Sequence, residues 1–129
     1  MQNYNSKFKV FIAHPDEKFV GLYRSRLKPH FCLDSAYDGL TSLRKIKLQK
    51  PHVILSSVNL PLLSGLGLLK FVRSHPELHF RPFIILGSSE ETPSLLSLGA
   101  NDFFDRDISS DQMLHKIYYH IKINKHLYV

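Results

Sequence analysis

Five short apolar runs, each followed by a longer stretch of helical periodicity, constrain this chain more than any other feature. The runs are Val10 to Ala13, Phe31 to Asp34, Val53 to Ser56, Phe83 to Leu86 and Asp102 to Phe104. The helical stretches are Asp16 to Leu27, Gly39 to Gln49, Gly65 to Ser74, Glu91 to Leu98 and Ser110 to Lys125. Helical crossovers return the chain to the same end of a sheet, so strands joined this way lie parallel and both sheet faces are covered. The expected fold is α/β: a five-stranded parallel sheet, doubly wound as (βα)5. Pro29, Pro51, Pro61, Pro76 and Pro82 all fall between periodic stretches, where a missing amide donor breaks no helix. Asp16 is placed to cap the first helix, Ser109 with Gln112 to form a capping box on the last, and Ser88 with Glu91 to do so on the fourth. In the last helix Leu114, Ile117, Tyr118 and Ile121 form one apolar stripe, with His115, Lys116, Tyr119, His120 and Lys122 on the face opposite.

The length of 129 residues suits one ordinary core, and the sequence shows no repeat or interdomain linker; a domain over 9–125 is expected, with tails at 1–8 and 126–129. The single cysteine, Cys32, has no intrachain disulfide partner, which suits a reducing compartment, and its Phe-Cys-Leu setting suggests packing rather than catalysis. No apolar run approaches the roughly 20 residues that span a bilayer, and the polar start Met1 to Ser6 lacks a secretory hydrophobic region, so a cytoplasmic location without membrane contact is expected. Lys and Arg number 17 against 11 Asp and Glu, and the net charge of +6 favours acidic partners only in a non-specific way. The dense run Arg44-Lys45-Ile46-Lys47-Leu48-Gln49-Lys50 is the best candidate for phosphate contact, but no helix-turn-helix or zinc-finger pattern accompanies it. A solvated amphipathic helix explains it more simply. The eight histidines include no pair at metal-ligand spacing on one helix, and most are read as surface residues.

Ligands of doubly wound sheets bind beyond the carboxyl ends of the strands, where adjacent loops converge. The residues to inspect are therefore His14 and Pro15 after the first strand, Ser57 after the third, Gly87 and Ser88 after the fourth, and Arg106 after the fifth. Around them the stretch Pro51 to Gly65, with its Asn59-Leu60-Pro61 and Ser64-Gly65-Leu66 elements, and the turn Leu98-Gly99-Ala100-Asn101-Asp102-Phe103 stand in a distinctive order. In these features the chain, from Lys9 to about Asn124, resembles the receiver domains of bacterial response regulators, the CheY-like family.

The resemblance implies an acidic pair after the first strand to hold Mg2+, an aspartate after the third to accept phosphate, a Thr or Ser after the fourth and a lysine after the fifth. Here those positions read His14 and Pro15, Ser57, Gly87 and Arg106, and Asp107 follows in place of the usual proline. A neutral hydroxyl cannot form an acyl phosphate, and Mg2+ dehydrates reluctantly without carboxylate ligands. The expected protein is thus a degenerate pseudo-receiver with a vestigial phosphorylation pocket, no enzymatic activity and no cofactor or metal. Sliding Asp16-Glu17 into the acidic-pair position would restore neither acceptor nor lysine. A Ser57-His14 nucleophile-base pair would lack an orienting acid.

Such a receiver is expected to act in two-component-type signalling by phosphorylation-independent contact with a protein partner or a second copy of itself. The face implied is that of the fourth helix, fifth strand and fifth helix, with Phe103, Arg106, His115, Tyr119 and Lys122 as candidates and Glu90, Glu91, Asp105 and Asp107 as nearby complementary charges. The module would stand alone or form the amino-terminal domain of a transcriptional regulator that meets DNA through a separate output domain. The alternatives are a basic nucleic-acid-binding protein and a small-anion sensor using the altered pocket.

Overall fold

The computed structural model describes residues 8–87 and 90–124. The elements alternate in chain order: β1 (Lys9–Ala13), α1 (Glu17–Leu27), β2 (Cys32–Ala36), α2 (Gly39–Gln49), β3 (Val53–Ser57), α3 (Gly65–Ser74), β4 (Phe83–Leu86), α4 (Thr92–Ser97), β5 (Asp102–Phe104) and α5 (Ser110–Ile123). All pairings are parallel, in the order β2-β1-β3-β4-β5. The expected α/β doubly wound architecture is present. β2 begins one residue and ends two residues later than the expected Phe31 to Asp34, because its pairing with β1 extends from Lys9↔Cys32 to Ala13↔Ala36. Phe31 instead enters the core.

The period-2 alternation of the strands divides the core into two halves. Val10, Ile12, Val53, Leu55, Ile84, Leu86 and Phe104 face α1 and α5, where Val20, Tyr23, Leu27, Met113, Ile117 and Ile121 meet them. Phe11, Ala13, Ile54, Phe83 and Ile85 face the other side and pack on Ile46, Leu68, Leu69, Val72 and Leu95. Each fully buried Val, Leu, Ile or Phe contributes about 1.5–3 kcal/mol, so this two-sided burial is the main force that fixes the layers.

Several side-chain assignments shift in three dimensions. In α5 the fully buried residues are Met113, Ile117, His120 and Ile121, while Leu114 and Tyr118 are only half-buried against the core. His120, expected on the solvated face, is 7 % exposed because its Nε2 meets Asp102 Oδ2 at 2.9 Å. Cys32, expected to pack, is exposed on the edge strand β2. Phe8, assigned to the amino-terminal tail, accepts the Cys32 amide at 3.0 Å and packs against the core. The remainder of both expected tails lies outside the described residues.

Caps fix the helix starts. Asp16 Oδ1 accepts the Lys18 amide at 2.9 Å, Asp38 the Thr41 amide at 2.7 Å and Ser64 the Gly67 amide at 3.1 Å. Ser109 and Gln112 form the expected capping box; the one expected of Ser88 and Glu91 lies partly outside the described residues. A second device ties the end of α3 to the segments that precede β4 and β5. Arg73, at the end of α3, donates through Nε and Nη2 to the Gly99 carbonyl at 3.0 and 2.6 Å, and through Nη1 to the carbonyls of His79 and Arg81 at 3.0 and 2.8 Å. Its Nη2 also reaches Asn101 Oδ1 at 2.8 Å, which accepts the Phe83 amide as well, at 2.7 Å. No described helix is long and apolar enough to cross a membrane.

Candidate functional site

The carboxyl ends of β1, β3 and β4 open into a cleft of about 220 Å³ lined by His14, Asp16, Phe19, Tyr23, Ser57, Val58, Asn59, Leu86, Gly87 and Arg106. Four of the six strand-end residues named from sequence therefore converge: His14, Ser57, Gly87 and Arg106. Pro15 is exposed and does not line the cleft, because the chain turns there and presents Asp16 instead. Ser88 lies outside the described residues.

Each wall has a local cause. Ser57 is the last residue of β3, and the loop beyond it is held by the Gly65 amide donating to the Val58 carbonyl at 2.8 Å. A Cβ on Gly65 would stand 2.3 Å from the Ser57 carbonyl, so only glycine permits this close return. The same loop carries Leu62 at φ +70, a left-handed conformation that strains a leucine, with 78 % of its side chain exposed. Gly87 follows β4 at φ +85, with nothing within 4 Å of where a Cβ would stand, and its amide donates to the Phe104 carbonyl at 2.7 Å. Arg106 is exposed at the mouth.

His14 is oriented by its neighbours. Its Nδ1 accepts the Asp16 amide at 3.0 Å and its ring stacks on Phe19 at 4.6 Å between centroids. A backbone amide can only donate, so Nδ1 is unprotonated and the ring proton sits on Nε2. Burial pushes the His14 pKa below its ordinary value, with the Asp16 carboxylate opposing in part. Asp16 itself starts α1 as the N-cap, with Glu17 the first, exposed helical residue, so the two do not form a strand-end acidic pair.

The donor set does not suit the Mg2+ of the receiver family. A hard divalent cation is held by carboxylates, and Asp16 is the one carboxylate lining the cleft. No cluster of three or more His, Cys, Asp or Glu able to hold a metal occurs among the described residues.

Of the residues expected at a partner face, all but Arg106 lie elsewhere. His115, Tyr119 and Lys122 are exposed on α5 with the spacing of one helical face. Phe103 is half-buried against the α2–α4 side of the core, with Lys116 Nζ 5.6 Å from its ring centroid. Arg106 belongs to the strand-end cleft; an open groove of about 700 Å³ beside α5 is lined by Asp105, Asp107, Ile108, Asp111, Gln112, His115 and Lys116 without it. Sequence reasoning missed the group beneath this face. Asp102 meets both His120 and Lys116, the latter at 3.4 Å, and although burial alone would raise its pKa, the His120 hydrogen bond, the Phe103 amide and Lys116 together hold it below the usual carboxylate range. In the basic run, Lys45 pairs with Asp34 and Lys50 with Glu77, and Ile46 is buried, so the run is not one uninterrupted cationic surface.

A parallel five-stranded sheet in this order, with a polar cleft at the β1, β3 and β4 ends, is the flavodoxin-like architecture shared with CheY-like receiver domains. No family model matches the chain. Among curated proteins it is similar to the transcriptional regulatory protein KdpE of Staphylococcus aureus, 26 % identical over 113 residues that cover 84 % of this chain and 48 % of that protein. It is also similar to a chemotaxis protein CheY of Rhizobium etli, 30 % identical over 84 residues, or 63 % of this chain and 65 % of that one. The chain thus spans from about half to about two thirds of these relatives' lengths. Among solved structures, the receiver domain of the Francisella response regulator 1452 superposes with a TM-score of 0.81 at 26 % identity, covering 92 % of this chain and all, 100 %, of that one. The receiver domain of the sensor histidine kinase PA1611 of Pseudomonas aeruginosa, solved with magnesium in its active-site cleft, superposes at 0.82 with 17 % identity, covering 89 % of this chain and 98 % of that one.

Proposed function

We propose that this receiver domain signals by protein contact without passing through a phosphorylated aspartate. The observation that carries the reading is the cleft's donor set. β3 ends in Ser57, whose hydroxyl is a poor nucleophile without a base, and the one carboxylate beside it caps a helix. His14 shares the cleft, but its Nδ1 accepts a backbone amide instead of donating to the carboxylate that orients a nucleophile-base pair. The contact face is the exposed side of α5 with the adjoining α4 and β5. Carboxylates of Asp105, Asp107 and Asp111 stand at its start and His115, Tyr119 and Lys122 farther along, so a two-fold axis would bring opposite charges together. A cytoplasmic setting suits the reading, and the similarity to KdpE suits a regulatory domain that precedes a DNA-binding output domain.

Sedimentation over a wide concentration range, with and without Mg2+ and acetyl phosphate, together with the intact mass, tests it. The expected result is an assembly state that the donor does not change and no phosphoryl adduct. An adduct accompanied by donor-dependent association would overturn it.

A further inference from the structure

We infer that the outward face of α2, with the β3–α3 loop that abuts its start, is a docking surface for an acidic amphipathic helix of a protein partner. α2 packs on the other side of the sheet from α1 and α5, and the inference does not rest on the α5 contact reading. Gly39, Ser42 and Ile46 point inward, so Leu40, Arg44, Lys47 and Leu48, at i, i+4, i+7 and i+8, form the solvent side of the helix. Leucines placed there contribute little to the fold: Leu48 is 82 % exposed. A third leucine stands at the same end as Leu40. Leu62 is held outward by its left-handed backbone, and its loop is fixed to the start of α2 by the Gly39 amide, which donates to the Pro61 carbonyl at 2.9 Å. A Cβ on Gly39 would stand 1.8 Å from the Leu63 carbonyl, so the two segments are in direct contact. Tyr37, just before α2, adds an exposed aromatic ring.

Charge selects the occupant. Neither α2 nor α3 contains an aspartate or glutamate. Their cations differ in what they already meet. Lys45 pairs with Asp34 and Arg73 donates to carbonyls, whereas Arg44, Lys47 and Lys70 are exposed and form no ion pair among the described residues. Asp38, which attracts Arg44, already accepts the amide and hydroxyl of Thr41. Leucines alternating with such cations along 11 residues, about 16 Å of helix, match a partner helix of about three turns whose apolar positions are flanked by carboxylates. The ends of the face disfavour a longer anion. Asp38 caps α2 at one end and Glu77 pairs with Lys50 just past the other, so the continuous phosphates of a lipid surface or a nucleic acid would meet carboxylates there. A nucleic acid would also leave the three leucines in water.

Fluorescence anisotropy with a labelled probe peptide tests this. The probe has leucines at i, i+4, i+7 and i+8 and glutamate or alanine elsewhere, over about four helical turns. Comparison probes are the same peptide with serine for leucine, phosphatidylglycerol vesicles and a single-stranded oligonucleotide. The expected result is saturable binding of the leucine peptide, with amide resonances moving in 37–50 and 60–70. Leu48→Ser combined with Lys47→Glu should weaken it about tenfold or more, the scale of losing one apolar contact and one charge pair. The matched pair on α1, Leu22→Ser with Lys18→Glu, should leave the affinity unchanged. All four substituted side chains are exposed, and Tm separates lost binding from lost folding, with the resonance map of the unaltered protein deciding if a variant does not fold. Equal binding of the serine peptide or equal weakening in both pairs would mean bulk charge and would overturn the inference. So would resonance changes centred on α5, tighter binding to vesicles or oligonucleotide than to the peptide, or no saturation in the millimolar range.

Discussion

Arg73 and Arg106 carry the same guanidinium in different surroundings. Arg73 is half-buried with its donors on three backbone carbonyls and the Asn101 amide oxygen, and burial pulls its pKa down. Arg106 stands exposed at the mouth of the strand-end cleft, with no ion pair among the described residues. A guanidinium whose donors all meet fixed acceptors holds elements in place; one that faces an open concavity keeps its donors free of the fold. The molecule thus separates a bonded scaffold beside α3 from an under-bonded cleft at the strand ends.

Truncation should separate the two regions most sharply. Arg73→Ala is expected to cost about 2–4 kcal/mol, since it strands the Gly99, His79 and Arg81 carbonyls, whereas Arg106→Gln should stay within about 0.5 kcal/mol. Urea unfolding of both variants checks this, and comparable losses would erase the distinction. Asp102→Ala should follow at about 1–3 kcal/mol, because it leaves buried His120 without its carboxylate acceptor and half-buried Lys116 with only the Phe103 carbonyl.

Acid should weaken both regions in separate windows. Burial lowers the pKa of His14 in the cleft and of His52 beneath β1, the latter with help from Arg81 and Lys9. The unfolded chain, with histidines near 6.5, then takes up protons first, so stability is full above that value and falls as pH drops below it. Asp102 is lowered in the fold, so its contribution is complete above the unfolded carboxylate value of 3.8 and is lost as pH falls through the folded one. A urea midpoint that stays constant from pH 7.5 to 5.5 would contradict the histidine part. The smallest expected effect is a gain: Leu62→Gly should add up to about 1 kcal/mol by removing a left-handed leucine, measured by the same unfolding curve.

The alternating runs made the architecture legible, and the helix bounds Gly39 to Gln49 and Gly65 to Ser74 agree with α2 and α3. The convergence of His14, Ser57, Gly87 and Arg106 was legible too, because the carboxyl ends of neighbouring parallel strands must lie together once the fold is known. Pro15 was misplaced for a local reason: one residue of turn decides which side chain enters the cleft, and periodicity carries no such detail. His120 and Arg73 gave no signal at all. Their partners, Asp102 and the Gly99, His79 and Arg81 carbonyls, lie on other elements, and a polar residue on a helix looks solvated until those elements pack against it.

Order of strands and helices, the two-sided core and the chemistry available at the strand ends were determined by sequence, because hydrophobic period and capping are local properties of the chain. Which charges are buried, which donors are already engaged and which remain open were decided only by the tertiary structure. Desolvation and hydrogen-bond satisfaction depend on groups far apart in sequence, brought to within about 3 Å by packing.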